Sequence, residues 1–117
     1  MQRVCRFDEL IDNEGKGVEV ELDGERVKVV VVRRGERVFA YRNVCPHRGT
    51  TLDWMPDRFM SEDGAYLQCA THGAQFEPET GLCVVGPCRG KSLQPVAVEM
   101  RGDEVVVSDH ILSYRDR

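Results

Sequence analysis

From Val18 to Leu22 apolar and acidic residues alternate one for one, the period of two that puts valine and leucine on one face of a strand and glutamate on the other. Asp23-Gly24 follows, a pair favoured in two-residue hairpin loops, and Arg26 to Arg33 resumes with a run of valines. These segments predict a β-hairpin. A second turn, Arg34-Gly35-Glu36, leads into a strand over Val38 to Arg42, and a third, Asp63-Gly64, leads into one over Ala65 to Gln68. Ala74 to Glu77 reads as a short strand closed by the turn Pro78-Glu79-Thr80-Gly81. Val96 to Met100 and Glu104 to Val107 flank a last turn at Arg101-Gly102-Asp103. Asp8 to Asp12 is read as one helical turn, and no other stretch carries a helical period. The fold expected is all-β.

Composition narrows the class of protein. The 117 residues make one domain, 1–117, able to bury roughly two-thirds of its unfolded surface. Charged residues are 31% of the chain and the net charge is -4, with both signs scattered. That pattern has no basic stripe for nucleic acid and no like-charge block for a disordered tail, and an acidic surface suits docking on basic patches. Met1 to Gly15 hold Arg3, Arg6, Asp8, Glu9, Asp12 and Glu14, which fits neither a signal peptide nor a bilayer span. A cytoplasmic protein without membrane contact is expected. The five cysteines lack the even count of a disulfide scaffold and are read as reduced. Cys5, between Val4 and Phe7, is expected to be a small core residue.

Two of the predicted strands end on candidate ligands. Val38 to Arg42 delivers the chain to Cys45-Pro46-His47, and Ala65 to Gln68 delivers it to Cys69-Ala70-Thr71-His72. Each loop offers one thiolate and one imidazole from the end of a stiff element. Two cysteines and two histidines also suit tetrahedral zinc, although zinc fingers pair like with like at wider spacing, and here the pairs are mixed.

Cys-x-His, a gap, then Cys-x-x-His, as found in Cys45-Pro46-His47-Arg48-Gly49 and Cys69-Ala70-Thr71-His72-Gly73, resembles the Rieske iron–sulfur family. The resemblance implies one [2Fe-2S] cluster, with Cys45 and Cys69 on one iron and His47 and His72 on the other. It implies an antiparallel β sandwich with a small inserted cluster-binding subdomain, about 44–85. Two neutral imidazoles in place of thiolates make such a cluster less negative and raise its potential above that of all-cysteine ferredoxins. High-potential respiratory members have a serine two residues, and a tyrosine four residues, after the second histidine; Ala74 and Phe76 stand there in this chain. They also join an extra cysteine from each ligand loop as a disulfide, where this chain has Thr50 and Thr71. Both departures point to the low end of the class, about -150 mV.

Gly86-Pro87 is similar to the proline-bearing third loop that covers the cluster in this family. Cys88 follows, with Cys83 five residues before it, read either as a redox-responsive pair or as small packed residues. Leu52 to Gly64, with Trp54, Met55, Phe59 and Met60, is longer than a bare connection needs. It is read as packing, or as apolar surface beside His47.

The resemblance implies a soluble one-electron carrier that takes electrons from a flavin-type reductase and delivers them to a terminal oxygenase. A small subunit of a reductase such as nitrite reductase, and an iron–sulfur redox sensor, are the alternatives. A complete oxygenase would need a second iron held by two histidines and a carboxylate. Only His110 remains after the cluster is served, so no catalytic site of its own is expected.

Overall fold

The computed structural model describes residues 2–44, 52, 59–69, 73–86 and 89–109. Within them the chain runs through β1 (Gln2–Arg6), a 3-10 turn (Phe7–Glu9), β2 (Gly15–Leu22), β3 (Glu25–Arg34) and β4 (Arg37–Arg42). It continues through β5 (Leu67–Gln68), β6 (Gln75–Phe76), β7 (Cys83–Val85), β8 (Val98–Arg101) and β9 (Glu104–Val107). The strands form three antiparallel sheets, ordered β1-β9-β8, β2-β3-β4 and β5-β6-β7. The third falls in the chain between β4 and β8, where the cluster-bearing insertion was expected. Its pairing runs on past Val85 through a bridge from Leu82 to Ser92.

The predicted hairpin is β2 against β3, with Leu22 opposite Glu25. Asp23 and Gly24 both have positive φ, 51° and 81°, as a turn matching the right-handed strand twist requires. Ala65 and Tyr66 do not join β5 as expected. The Ser61 N–H donates to the Tyr66 carbonyl and Asp63 accepts from both the Ser61 hydroxyl and the Ala65 N–H, so the turn holds these residues before the ladder begins. The single helical turn lies at Phe7–Glu9 instead of Asp8 to Asp12, where the Phe7 N–H is tied to Asp103 O in the turn between β8 and β9.

Two strands were not anticipated. In β1 the register slips between Arg3 and Cys5, so Val4 is an extra residue that breaks the alternation. β7 is only three residues long and pairs with β6 across another irregularity.

Val29, Val30, Val31 and Val32 of β3 are all fully buried. Alternation along a strand sends them to two different places. Val29 and Val31 join Cys5, Leu22, Val105 and Val107 in the core between the first two sheets. Val30 and Val32 join Tyr41, Leu67, Phe76 and Leu93 in a second core under the third sheet. The valine run is continuous because β3 is covered on both faces. Segment 94–96 lines the outer edge of β4, with Arg42 N–H on Gln94 O and Val96 N–H on Ala40 O, and Pro95 sits where no donor is needed.

Candidate metal centre

Of the four predicted ligands the structure describes Cys69; Cys45, His47 and His72 lie outside the described residues, as do Trp54, Met55, Pro87, Cys88 and His110. The roots of the loops that carry the missing three are all described.

The second loop is the tightest. β5 and β6 pair Leu67 with Phe76 and Gln68 with Gln75, and the next step is closed by Cys69 N–H on Ala74 O at 2.8 Å. The Gly73 N–H then donates to Cys69 O at 3.0 Å, with Gly73 at φ +67°. Cys69 is therefore the last residue of the first strand side before residues 70–72, with Gly73 and Ala74 bonded back to it. The Cys69 side chain is fully buried in the core that holds Ala74, Phe76, Cys83 and Leu52. A thiolate ligand fits that setting: its backbone is held at both N–H and carbonyl, and apolar neighbours keep water from its side chain.

The first loop leaves β4 at Asn43, whose N–H donates to Lys28 O and so extends the β3–β4 ladder by one step. It returns at Leu52, whose N–H donates to the Asn43 side-chain oxygen at 2.7 Å. Leu52 lies in the same core as Cys69. The third loop is closed at its base by Gly90 N–H on Cys83 O. Gly86 begins it at φ +102°, and a Cβ placed there would fall 2.8 Å from Ala74 Cα. All three loop roots thus converge on one apolar floor, made by Val30, Val32 and Tyr41 from the middle sheet.

Tyr41 ties that floor to the third sheet. Its hydroxyl donates to Pro78 O at 2.7 Å, and its ring lies against Gly81, where an added Cβ would meet ring carbon Cε1 at 2.8 Å. Burial, reinforced by Glu79 and Glu77, raises its pKa well above the usual value of 10.0. The neutral phenol is therefore the form the fold keeps. This contribution is complete below about pH 10 and is lost as pH climbs above it, because the unfolded chain then ionises first. Tyr41→Phe is expected to cost about 1 kcal/mol near neutral pH and to show a shallower loss of stability above about pH 10. Urea unfolding of both proteins across that range measures it; equal alkaline slopes would refute the assignment.

Cys5, Cys69 and Cys83 are reduced and buried. Cys83 packs in the same core as Cys69 and its thiol donates to Val85 O at 3.2 Å, which supports the packing reading for this residue. Phe59 is buried and Met60 packs against that core, with Gln68 N–H on Phe59 O at 2.7 Å, so this part of the 52–64 stretch also serves packing. Sequence reasoning overlooked Asn43. Its one signal was a polar turn-former at a strand exit, which has no characteristic spacing to Leu52.

Comparison with known proteins matches this arrangement to one family. The Rieske [2Fe-2S] domain matches residues 1–100. The chain is 31% identical over 81 residues to the cytochrome b6-f complex iron-sulfur subunit of Chlorobaculum thiosulfatiphilum, a match covering 69% of this chain and 40% of that protein. The chain thus spans well under half of that subunit. It is 31% identical over 104 residues to the ferredoxin component of the alkene monooxygenase system of Xanthobacter autotrophicus, covering 89% and 77%. Among solved structures, the ferredoxin of carbazole 1,9a-dioxygenase from Nocardioides aromaticivorans IC177 aligns with a TM-score of 0.72 at 27% identity, over 92% of this chain and 95% of that one.

Proposed function

The chain belongs to the Rieske [2Fe-2S] domain family, and from that membership we propose a soluble one-electron carrier that supplies a terminal oxygenase. Residues 1–117 form one domain, with 44–85 its cluster-binding subdomain. Cys45 and Cys69 hold one iron and His47 and His72 the other. The cluster, when bound, accepts and returns a single electron. The residues around it fix its ligands, exclude water and present its edge to partners. A flavin-type reductase is the donor and the cytoplasm the setting.

The observation that carries this reading is the hairpin end at Cys69, a fully buried thiol three residues from an imidazole, rooted on the same core as the loop bearing Cys45 and His47. The direction of use follows from the neighbours. Ala74 and Phe76 are both buried and bring no hydroxyl to the site, which favours the low-potential end of the class. Two relatives matched over most of their own length are named as the ferredoxin component of an alkene monooxygenase system and the ferredoxin of a carbazole dioxygenase. Val44 and Val85, at the roots of the first and third loops, are 38% and 49% exposed and offer apolar surface at the rim where a partner would dock. Among the described residues no helix is long and apolar enough to cross a membrane.

The test is an EPR spectrum of the anaerobically purified, dithionite-reduced protein, with iron and sulfide analysis and a redox titration. The expected result is a rhombic signal with an average g below that of all-cysteine clusters, and a midpoint near about -150 mV. Stoichiometric zinc without sulfide would remove the cluster. A midpoint several hundred millivolts higher would remove the oxygenase-supply role and leave the cluster.

A further inference from the structure

Asn43 is a buried side-chain amide, 5% exposed, at the exit of β4. The backbone changes course there. Asn43 N–H makes the last rung to Lys28 O, and the next N–H, that of Val44, turns back to Arg42 O at 2.8 Å. The main chain has therefore left the ladder when the first ligand loop begins. Its return at Leu52 is met by a side chain: Asn43 Oδ1 accepts the Leu52 N–H at 2.7 Å. The amide oxygen takes the place of a missing strand rung, joining the two ends of the stretch 44–51.

We propose that Asn43 is a positioning residue for the cluster, a clasp that sets the span of the first ligand loop against the second. The inference rests on Cys45 and His47 being ligands, as proposed above. The clasp works because it joins the end of the β3–β4 ladder to the core under the second ligand loop. Asn43 is bonded to β3 through its own N–H, while the Leu52 side chain is fully buried in the core that also holds Cys69 and Ala74. Gripping Leu52 from Asn43 ties the exit of one loop to the floor under the other. Without the acceptor, the Leu52 N–H is stranded at the edge of an apolar core, and the loop opens to reach water. A two-iron cluster bridging both loops accepts little change in their separation, so the loss appears at the metal.

Asn43→Leu keeps the size and removes the acceptor; Asn43→Asp keeps an oxygen where the bond is made. In the cluster-loaded protein, Asn43→Leu is expected to lose iron to a chelator about tenfold faster than the parent. Its EPR lines should broaden as the ligand geometry loses uniqueness. Asn43→Asp should retain the parent's line shape and release rate. A purely structural role would lower the unfolding midpoint of Asn43→Leu with no change in line shape, and that result would overturn the proposal. So would an Asn43→Asp protein that behaves like Asn43→Leu. Hydrogen exchange of the parent at Leu52 decides the matter if Asn43→Leu does not fold: a protected amide supports the clasp, and one exchanging like an open loop refutes it. A parent protein without iron and sulfide would be a failure of the proposed function, recognisable before any variant is made.

Discussion

Cys69→Ala is expected to abolish the cluster while leaving the β sandwich folded. The side chain is fully buried at the end of β5, and its main chain is held by Ala74 and Gly73, so deleting the sulfur leaves the hairpin bonds in place. The core loses one atom's packing, a cost of about 1 kcal/mol. As a proposed ligand, Cys69 would be one of two thiolates on one iron, and the three other proposed ligands could not substitute for it. Purified Cys69→Ala should therefore contain neither iron nor sulfide and lack visible absorption, with far-ultraviolet circular dichroism close to that of the parent. Cys83→Ala is the control, because Cys83 is as deeply buried and shares the same core. It should keep the full complement of iron. Equal iron in Cys69→Ala and the parent would exclude Cys69 as a ligand, and loss of iron in both variants would point to general loosening of the core.

The second large effect is expected at Gly86. Its φ of +102° lies where a side chain costs about 1–3 kcal/mol, and the Cβ of an alanine would press to 2.8 Å on the Ala74 α-carbon. That neighbour is backbone, bonded through its carbonyl to Cys69, and it cannot move aside without opening the second ligand loop. Gly90, at the far end of the same loop, has φ +90° and nothing within 4 Å of its would-be Cβ. Gly90→Ala thus carries the conformational cost alone, and Gly86→Ala carries that cost together with the collision. Gly86→Ala should lower stability by about 2–4 kcal/mol in urea titrations and bleach much faster in air; Gly90→Ala should lose about 1 kcal/mol and bleach like the parent. Matching behaviour of the two variants would mean that the contact with Ala74 does not seal the site.

What could be read from the chain alone divides along physical lines. The β2–β3 hairpin was legible because alternation and an Asp23-Gly24 turn agree, and both are local. β4 and its exit toward Cys45 were legible for the same reason. β1 was hidden by its bulge, since the extra Val4 makes the apolar residues consecutive and erases the period. β7 was hidden by its length; three residues hold no period at all, and its partners are supplied by Gln75 and Phe76 from another part of the chain. At the site, the candidate ligands could be proposed from motifs, because metal chemistry demands particular residues at close spacing. The devices that hold the loops were not. The Asn43–Leu52 bond and the Gly86–Ala74 contact depend on how separate segments meet, and neither pairing has a fixed distance in sequence.

The doubly covered strand β3 has one consequence for the chain's history. Val29 and Val31 furnish one chamber and Val30 and Val32 the next, so the strand is a party wall with no spare side. A bulkier residue at any of the four presses into an occupied room, and a smaller one leaves a gap in it. The packing along this stretch accommodates side chains of about valine's volume and branching. A lineage adapting this protein to a new partner would remodel its rims and leave the wall standing.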